Sequence, residues 1–214
     1  MSQIEQTFRQ LLSRKPEIEK CYAEGLVNRR ALARYLIKHT SANKNQINAV
    51  IAMLRRFDFR EPEKTAKETI DLLKQVRMHL KDKILILDFE KDKALLQSLQ
   101  KVVAHINYDR GDTLKIVVGT MSITLYLDEK KYHEIKEVVD RFTLQHKWKN
   151  ISEISLIFPE EAIKTKGIFA TITRELVLHD INIIEMLTAS SELLIYLKEG
   201  QVIKAYEIIK RFQE

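Results

Sequence analysis

Residues 192–212, ELLIYLKEGQVIKAYEIIKRF, repeat residues 122–142, SITLYLDEKKYHEIKEVVDRF, at an offset of 70. Six of the 21 positions are identical: Tyr126/Tyr196, Leu127/Leu197, Glu129/Glu199, Glu137/Glu207, Arg141/Arg211 and Phe142/Phe212. Unrelated segments of this length would agree at about one or two. Each copy reads as a strand followed by a helix, because the apolar period changes from two residues to between three and four.

Working outward, both copies have the same lead-in. Before the first copy come an apolar strand, Lys83–Phe89, and a helix face of Leu95, Leu96, Leu99, Val103 and Ile106. A second strand, Leu114–Val118, then turns at Gly119-Thr120. Before the second copy come a strand at Ile154–Phe158, a helix face of Ile168, Phe169, Ile172 and Leu176, and a strand at Ile181–Leu187. The chain therefore carries two β–α–β–β–α repeats, at 79–145 and 150–214. An antiparallel sheet with the helices on one face would bury both apolar stripes. The fold class expected is α+β, a helical domain followed by two ferredoxin-like repeats. Trp148, between the repeats, is expected to be a packing anchor.

The first 60 residues read as helices only. Ile4, Phe8, Leu11 and Leu12 share a face, and Pro16 suits the first turn of a second helix ended by Gly25. Asn28 is a good N-cap for a third helix running to about His39. Thr40 to Asn43 form a polar break, and a fourth helix runs from Lys44 to Phe57 with Ile47, Val50, Ile51, Leu54 and Phe57 on one face. Residues 61–78, opened by Pro62, read as a connector helix.

Charge follows this division. Residues 1–60 hold 12 Lys or Arg against five Asp or Glu, and the remainder holds 24 against 25, so the whole excess of +6 lies in the helical part. Such a local excess draws polyanions to one domain. Hydrophobic residues make up 45% and charged residues 31%, which excludes a disordered or fibrous chain. Cys21 is the single cysteine and has no internal partner. No signal peptide and no membrane-length apolar run is present, so a cytoplasmic protein is expected.

Catalytic patterns are missing. The six histidines show no metal-ligand spacing with one another or with Cys21. Phosphate-binding glycine loops and nucleophile elbows are absent. Glu160-Glu161 could form an acid–base pair, but reads more simply as a solvated loop. The expectation is a protein that is not an enzyme, with no metal and no cofactor.

The second repeat, Lys166–Leu197, KGIFATITRELVLHDINIIEMLTASSELLIYL, resembles the ACT domains of amino-acid-regulated proteins such as aspartokinase. Gly167 opens the helix, Leu178-His179-Asp180 break it, and Asn182-Ile183 begin the next strand. The resemblance implies a small-ligand site, often for an amino acid, at the first loop and helix start. A glycine there permits close backbone approach, and the free N–H groups of a helix start suit a carboxylate. The residues it nominates are Lys166, Gly167, Ile168, Phe169, Asn182 and Ile183. Lys166 stands where many such domains have Pro, and the first repeat has Ala94 where its Gly would be. An ACT domain usually has a fourth strand after its second helix. Here that strand is absent, comes from around Arg77–Leu80, or comes from another chain.

The Arg29–Phe57 stretch resembles a helix-turn-helix, and the overall plan resembles the leucine-responsive regulators. In such a motif Asn45 and Asn48 would face base edges, Arg56 would take a phosphate or a guanine, Arg29, Arg30 and Arg34 would lie near phosphates, and Lys44 is nominated for DNA with them. The expected partners are double-stranded DNA and an amino acid or other small metabolite, in a homodimer and away from membranes. The alternative is a regulatory or dimerisation module that does not bind DNA and acts on a protein partner.

Overall fold

The computed structural model describes residues 3–15, 18, 21–22, 25–39, 44–57, 63–105 and 111–214. Two compact units, Met1–Pro62 and Glu63–Glu214, make up the chain. The readings made at Pro16, Thr40–Asn43, Pro62 and Ile106 lie outside the described residues.

Among the described residues of the first unit run α1 (Gln3–Arg14), α2 (Arg29–Lys38) and α3 (Ile47–Arg56), with helical backbone also at Ile18, Cys21 and Tyr22. Their apolar stripes meet in a core of Phe8, Leu12, Tyr22, Leu32, Ala33, Leu36, Val50 and Leu54. Asn28 caps α2 as expected: its Oδ1 accepts from the N–H groups of Arg30 and Ala31 at 2.9 and 3.1 Å. The helix expected from Lys44 begins as a 3₁₀ turn, Lys44–Gln46, and becomes α-helical at Ile47, where Gln46 offers no side-chain cap.

The second unit runs α4 (Glu63–Lys74), β1 (Arg77–Glu90), α5 (Lys93–His105), β2 (Leu114–Val118), β3 (Ser122–Asp128), α6 (Tyr132–Val139), β4 (Leu144–Ile157), α7 (Ile168–Leu178), β5 (Glu185–Ala189), β6 (Glu192–Lys198) and α8 (Glu199–Lys210). One antiparallel sheet results, in the order β2-β3-β1-β4-β6-β5.

β1 and β4 are 14 residues each, about twice the strands the sequence suggests. They pair along their whole lengths, from Arg77↔Ile157 to Phe89↔Leu144. Ile84–Glu90 of β1 pairs with β3, whereas Arg77–Lys81 lies beside Glu153–Ile157 of β4, which pairs with β6. The missing fourth strand of the second repeat is therefore Arg77–Lys81, and Leu144–Trp148 fills the same place in the first. Each long strand changes direction at its seventh residue, where Lys83 and Asn150 have φ of 53° and 57°. Lys83 is fixed there by Glu199 at the start of α8, its Nζ donating at 3.0 Å.

The residues expected as a connector, 61–78, behave differently. α4 stops at Lys74, Arg77 and Met78 already belong to β1, and Leu73 and Val76 are buried in the second repeat's core. Gln213 Nε2 donates to the Val76 carbonyl and completes the junction. Strand β5 also starts later than Ile181. Asp180 takes φ 58°, and the N–H groups of Asp180 and Ile181 bond back to Val177 and Leu176. This left-handed helix ending commits the Ile181 N–H to α7 and delays sheet pairing.

Alternation along the strands sends Leu85, Leu87 and Phe89 to a core with α5 and α6, and Ile154 and Leu156 to one with α4, α7 and α8. The opposite face holds Ile84, Ile86, Tyr126, Ile151, Leu194 and Tyr196, a buried cluster of strand residues alone. Tyr126 and Tyr196 lie three strand spacings apart, about 14 Å in a flat sheet. Their rings are nevertheless 4.7 Å apart, so the sheet curls around them.

Because α4 belongs to this core, Leu73→Ala in the full chain should lower unfolding free energy by about 2–5 kcal/mol. Denaturant melts measure it. A loss near zero would mean that α4 does not pack there.

Candidate functional site

The ligand cradle expected at Gly167 is built from the loop between β4 and α7. Phe158 ties it to the β5–β6 turn by donating its N–H to Ser191 O at 2.9 Å, and a 3₁₀ turn, Glu160–Lys164, buries Ala162. Gly167 is the N-cap of α7 with φ 90° and ψ −8°, a left-handed conformation natural to glycine. The first-turn N–H groups of α7 have no acceptor within the helix.

The cradle is closed from one side by the chain itself. Thr69 of α4 donates from Oγ1 to the Lys166 carbonyl at 3.0 Å and is only 4% exposed. A Cβ at Gly167 would lie 3.9 Å from that same Oγ1. Beside the helix start, Phe158, Ile168, Phe169 and the Ser190–Glu192 turn enclose about 20 Å³. That holds about one water and no amino acid. Lys166 and Gly167 themselves are exposed, so the helix start is open to solvent on the side away from Thr69.

Of the nominated residues, Lys166, Gly167, Ile168 and Phe169 are contiguous at this helix start, with Ile168 buried and Phe169 44% exposed. Asn182 and Ile183 are not with them. They follow the C-terminal end of α7, an 11-residue helix and hence roughly 16 Å long. Thr69 carries no sequence signal, since its partner is 97 residues away.

The fold resembles that of aspartokinase regulatory subunits. The regulatory subunit of aspartate kinase from Thermus flavus shares 11% identity over 64% of this chain and 97% of its own, with a TM-score of 0.51. A structure of aspartokinase alpha and beta subunits shares 14% over 63% of this chain and 95% of its own, with a TM-score of 0.50. Aspartate kinase of Clostridium acetobutylicum shares 17% over 64% of this chain with a TM-score of 0.53, and there the match spans 34% of the enzyme's length. At these identities the likeness is one of fold. No protein-family model matches the sequence, and no curated protein matches it.

In the first unit, the structure divides the residues nominated for DNA. Arg29 and Arg30 begin α2, and Arg34 follows one turn later, all exposed. Arg29 donates from Nε to Tyr22 Oη at 3.0 Å, and Tyr22 donates to Leu54 O at 2.8 Å, so the start of α2 lies against the end of α3. Asn45 and Asn48 are exposed at the opposite end of α3, roughly 15 Å away by helix rise. Arg56 is exposed on the last turn and donates from Nε to Ala52 O at 3.3 Å. The side chain of Lys44 lies outside the described residues.

Among the described residues, no group of three His, Cys, Asp or Glu could hold a metal, and no helix is long and apolar enough to cross a membrane. Charge gathers instead on the curled sheet face. Lys115 Nζ lies 2.6 Å from Glu153, whose side chain is 8% exposed. Burial, with the Glu153 carboxylate next, pushes the Tyr196 hydroxyl up, and its Oη has no hydrogen-bond partner of good geometry among the described residues. Burial likewise raises Tyr126, with Glu185 and Asp88 adding to it. Glu185, the counterpart of Lys115 at the repeat offset of 70, is raised by burial and then by Asp88.

A carboxyl raised in the folded state binds more protons folded than unfolded, so stability falls as pH climbs above the ordinary Glu value of about 4.5. Glu185→Gln should remove that fall, matching the natural chain at about pH 4 and exceeding it at about pH 7. Chemical denaturation across this range tests it. Equal slopes for the two chains would refute the assignment.

Proposed function

We propose that this chain is a regulatory protein whose second repeat senses a small zwitterionic ligand, an amino acid being the best fit. The left-handed Gly167 at the start of α7, within an aspartokinase-like regulatory fold, carries this reading. The ligand carboxylate takes the free N–H groups of the α7 start, and Lys166 adds a positive charge beside it. Thr69 of α4 bonds the Lys166 carbonyl beside the site, so occupancy is felt by α4. That helix is the first element of the second unit and directly follows the basic helical unit in the chain.

The helical unit is the output. Its charge excess, the exposed Asn45 and Asn48 on α3 and the exposed arginines of α2 support binding of duplex DNA. A second reading, a non-catalytic module acting on a protein partner, draws on the same fold likeness, since the Thermus flavus neighbour is a regulatory subunit of an enzyme.

A thermal-shift screen against the twenty amino acids tests the sensor reading. One of them should raise the melting temperature. Gly167→Leu should abolish the shift and cost about 1–2 kcal/mol from its left-handed backbone. Thr69→Ala, which removes the hydrogen bond that holds the Lys166 carbonyl, should weaken ligand binding without abolishing it. No shift with any amino acid in the natural chain removes the amino-acid reading.

For the output, a labelled duplex should bind at low salt and release steeply as salt rises, and Asn45→Ala with Asn48→Ala should weaken discrimination between sequences. A chain that ignores duplex at low salt supports the protein-partner reading.

A further inference from the structure

The start of α2 and the last turns of α3 enclose a cleft of about 430 Å³. Arg29, Arg30 and Arg55 line it together with Asn28, and Val27 and Ile51 supply an apolar part. Among the described residues, none of its lining is Asp or Glu. Arg55 belongs to none of the residues that the helix-turn-helix resemblance nominates.

Three like charges around one cleft repel, and packing does not explain them. Arg30 and Arg55 are exposed and make no ion pair with any described residue. Arg29 is held in place: its Nε donates to Tyr22 Oη at 3.0 Å, its Cζ lies 5.5 Å from the Tyr22 ring centre, and Tyr22 is itself anchored on Leu54 O. That arrangement commits Nε and leaves the outer nitrogens of the guanidinium for an anion. Tyr22 is 7% exposed, so the anchor is part of the core and the guanidinium is positioned before any ligand arrives.

We infer that this cleft binds the phosphate of an organic phosphate, gripped by Arg29, Arg30 and Arg55. A guanidinium fork matches phosphate oxygens two at a time, and three of them suit a multiply charged anion better than a lone carboxylate. The volume falls within the roughly 300–1,000 Å³ of small-ligand sites and leaves room for more than the phosphate. Val27 and Ile51 would meet the rest of the molecule. The phosphate belongs either to a free nucleotide or to a nucleic-acid backbone. The inference deepens the DNA reading in the second case and stands apart from it in the first.

The test uses the full chain, with inorganic pyrophosphate and ATP titrated calorimetrically and a labelled mixed-sequence duplex followed by anisotropy at low salt. At least one of these probes should bind the natural chain and weaken about tenfold or more in the Arg30→Gln/Arg55→Gln double variant. The melting temperature should not fall, since neither side chain is packed and their removal relieves like-charge repulsion. Arg55→Lys, which keeps the charge without the fork, should give a smaller loss. A nucleotide site is indicated when pyrophosphate or ATP binds without displacing duplex, and a backbone site when duplex weakens in the double variant and competes with pyrophosphate. Asn45→Ala/Asn48→Ala should leave pyrophosphate and ATP affinity untouched. Binding of none of the three probes, or binding indifferent to the double variant, overturns the inference. Duplex binding that survives the double variant but fails in Asn45→Ala/Asn48→Ala, with neither pyrophosphate nor ATP bound, would keep the DNA reading and eliminate the cleft.

Discussion

The pairing of β1 with β4 holds the second unit together. Both strands run 14 residues, and they are hydrogen-bonded to each other from Arg77 and Ile157 at one end to Phe89 and Leu144 at the other. Each contributes one half to its own repeat and the other half to its neighbour. The left-handed residues Lys83 and Asn150 mark the change of allegiance, at the same position in each strand. A non-glycine residue in that conformation carries a cost of order 1–2 kcal/mol, which the ladder on both sides must outweigh. The Lys83–Glu199 contact reinforces one of the two bends with a residue of the opposite repeat.

This arrangement also explains why the helix-free face of the sheet is buried without a helix over it. The bends let the two halves curl toward each other until Tyr126 meets Tyr196. Once water is excluded there, the hydroxyls of both tyrosines and the carboxyl of Glu185 are held away from their charged forms. Lys115 and Glu153 offset each other at close range. Placing opposite charges at the equivalent positions 115 and 185 keeps the pseudo-symmetric interior from gathering like charges.

Much of the repeat plan could be read directly, and the reasons are local. Strand and helix periods in 122–142 and 192–212 depend on neighbouring residues, as do the cap at Asn28 and the glycine that opens α7. What the residues left open or misplaced shares a different cause. Arg77–Lys81 alternates charged and apolar residues like an edge segment, and its partner lies about eighty residues downstream. The Ile181 N–H is taken by a helix ending that needs Asp180 in a conformation most residues avoid. Asn182 belongs to the same motif as Gly167, and a whole helix separates the two. Thr69 and Arg55 matter only through where the backbone carries them, and neither stands in a recognisable pattern.

The exchange of strand halves has a consequence for how the chain is made. Arg77 emerges from the ribosome long before Ile157, its partner at the far end of the ladder. Until then the first repeat lacks its fourth strand and presents an unpaired edge, the kind of surface that recruits foreign strands. Contacts of such sequence separation also slow folding. Neither repeat completes its sheet alone, so the folding of one is coupled to the other. A gene fragment encoding either repeat would leave its product one strand short of a complete sheet.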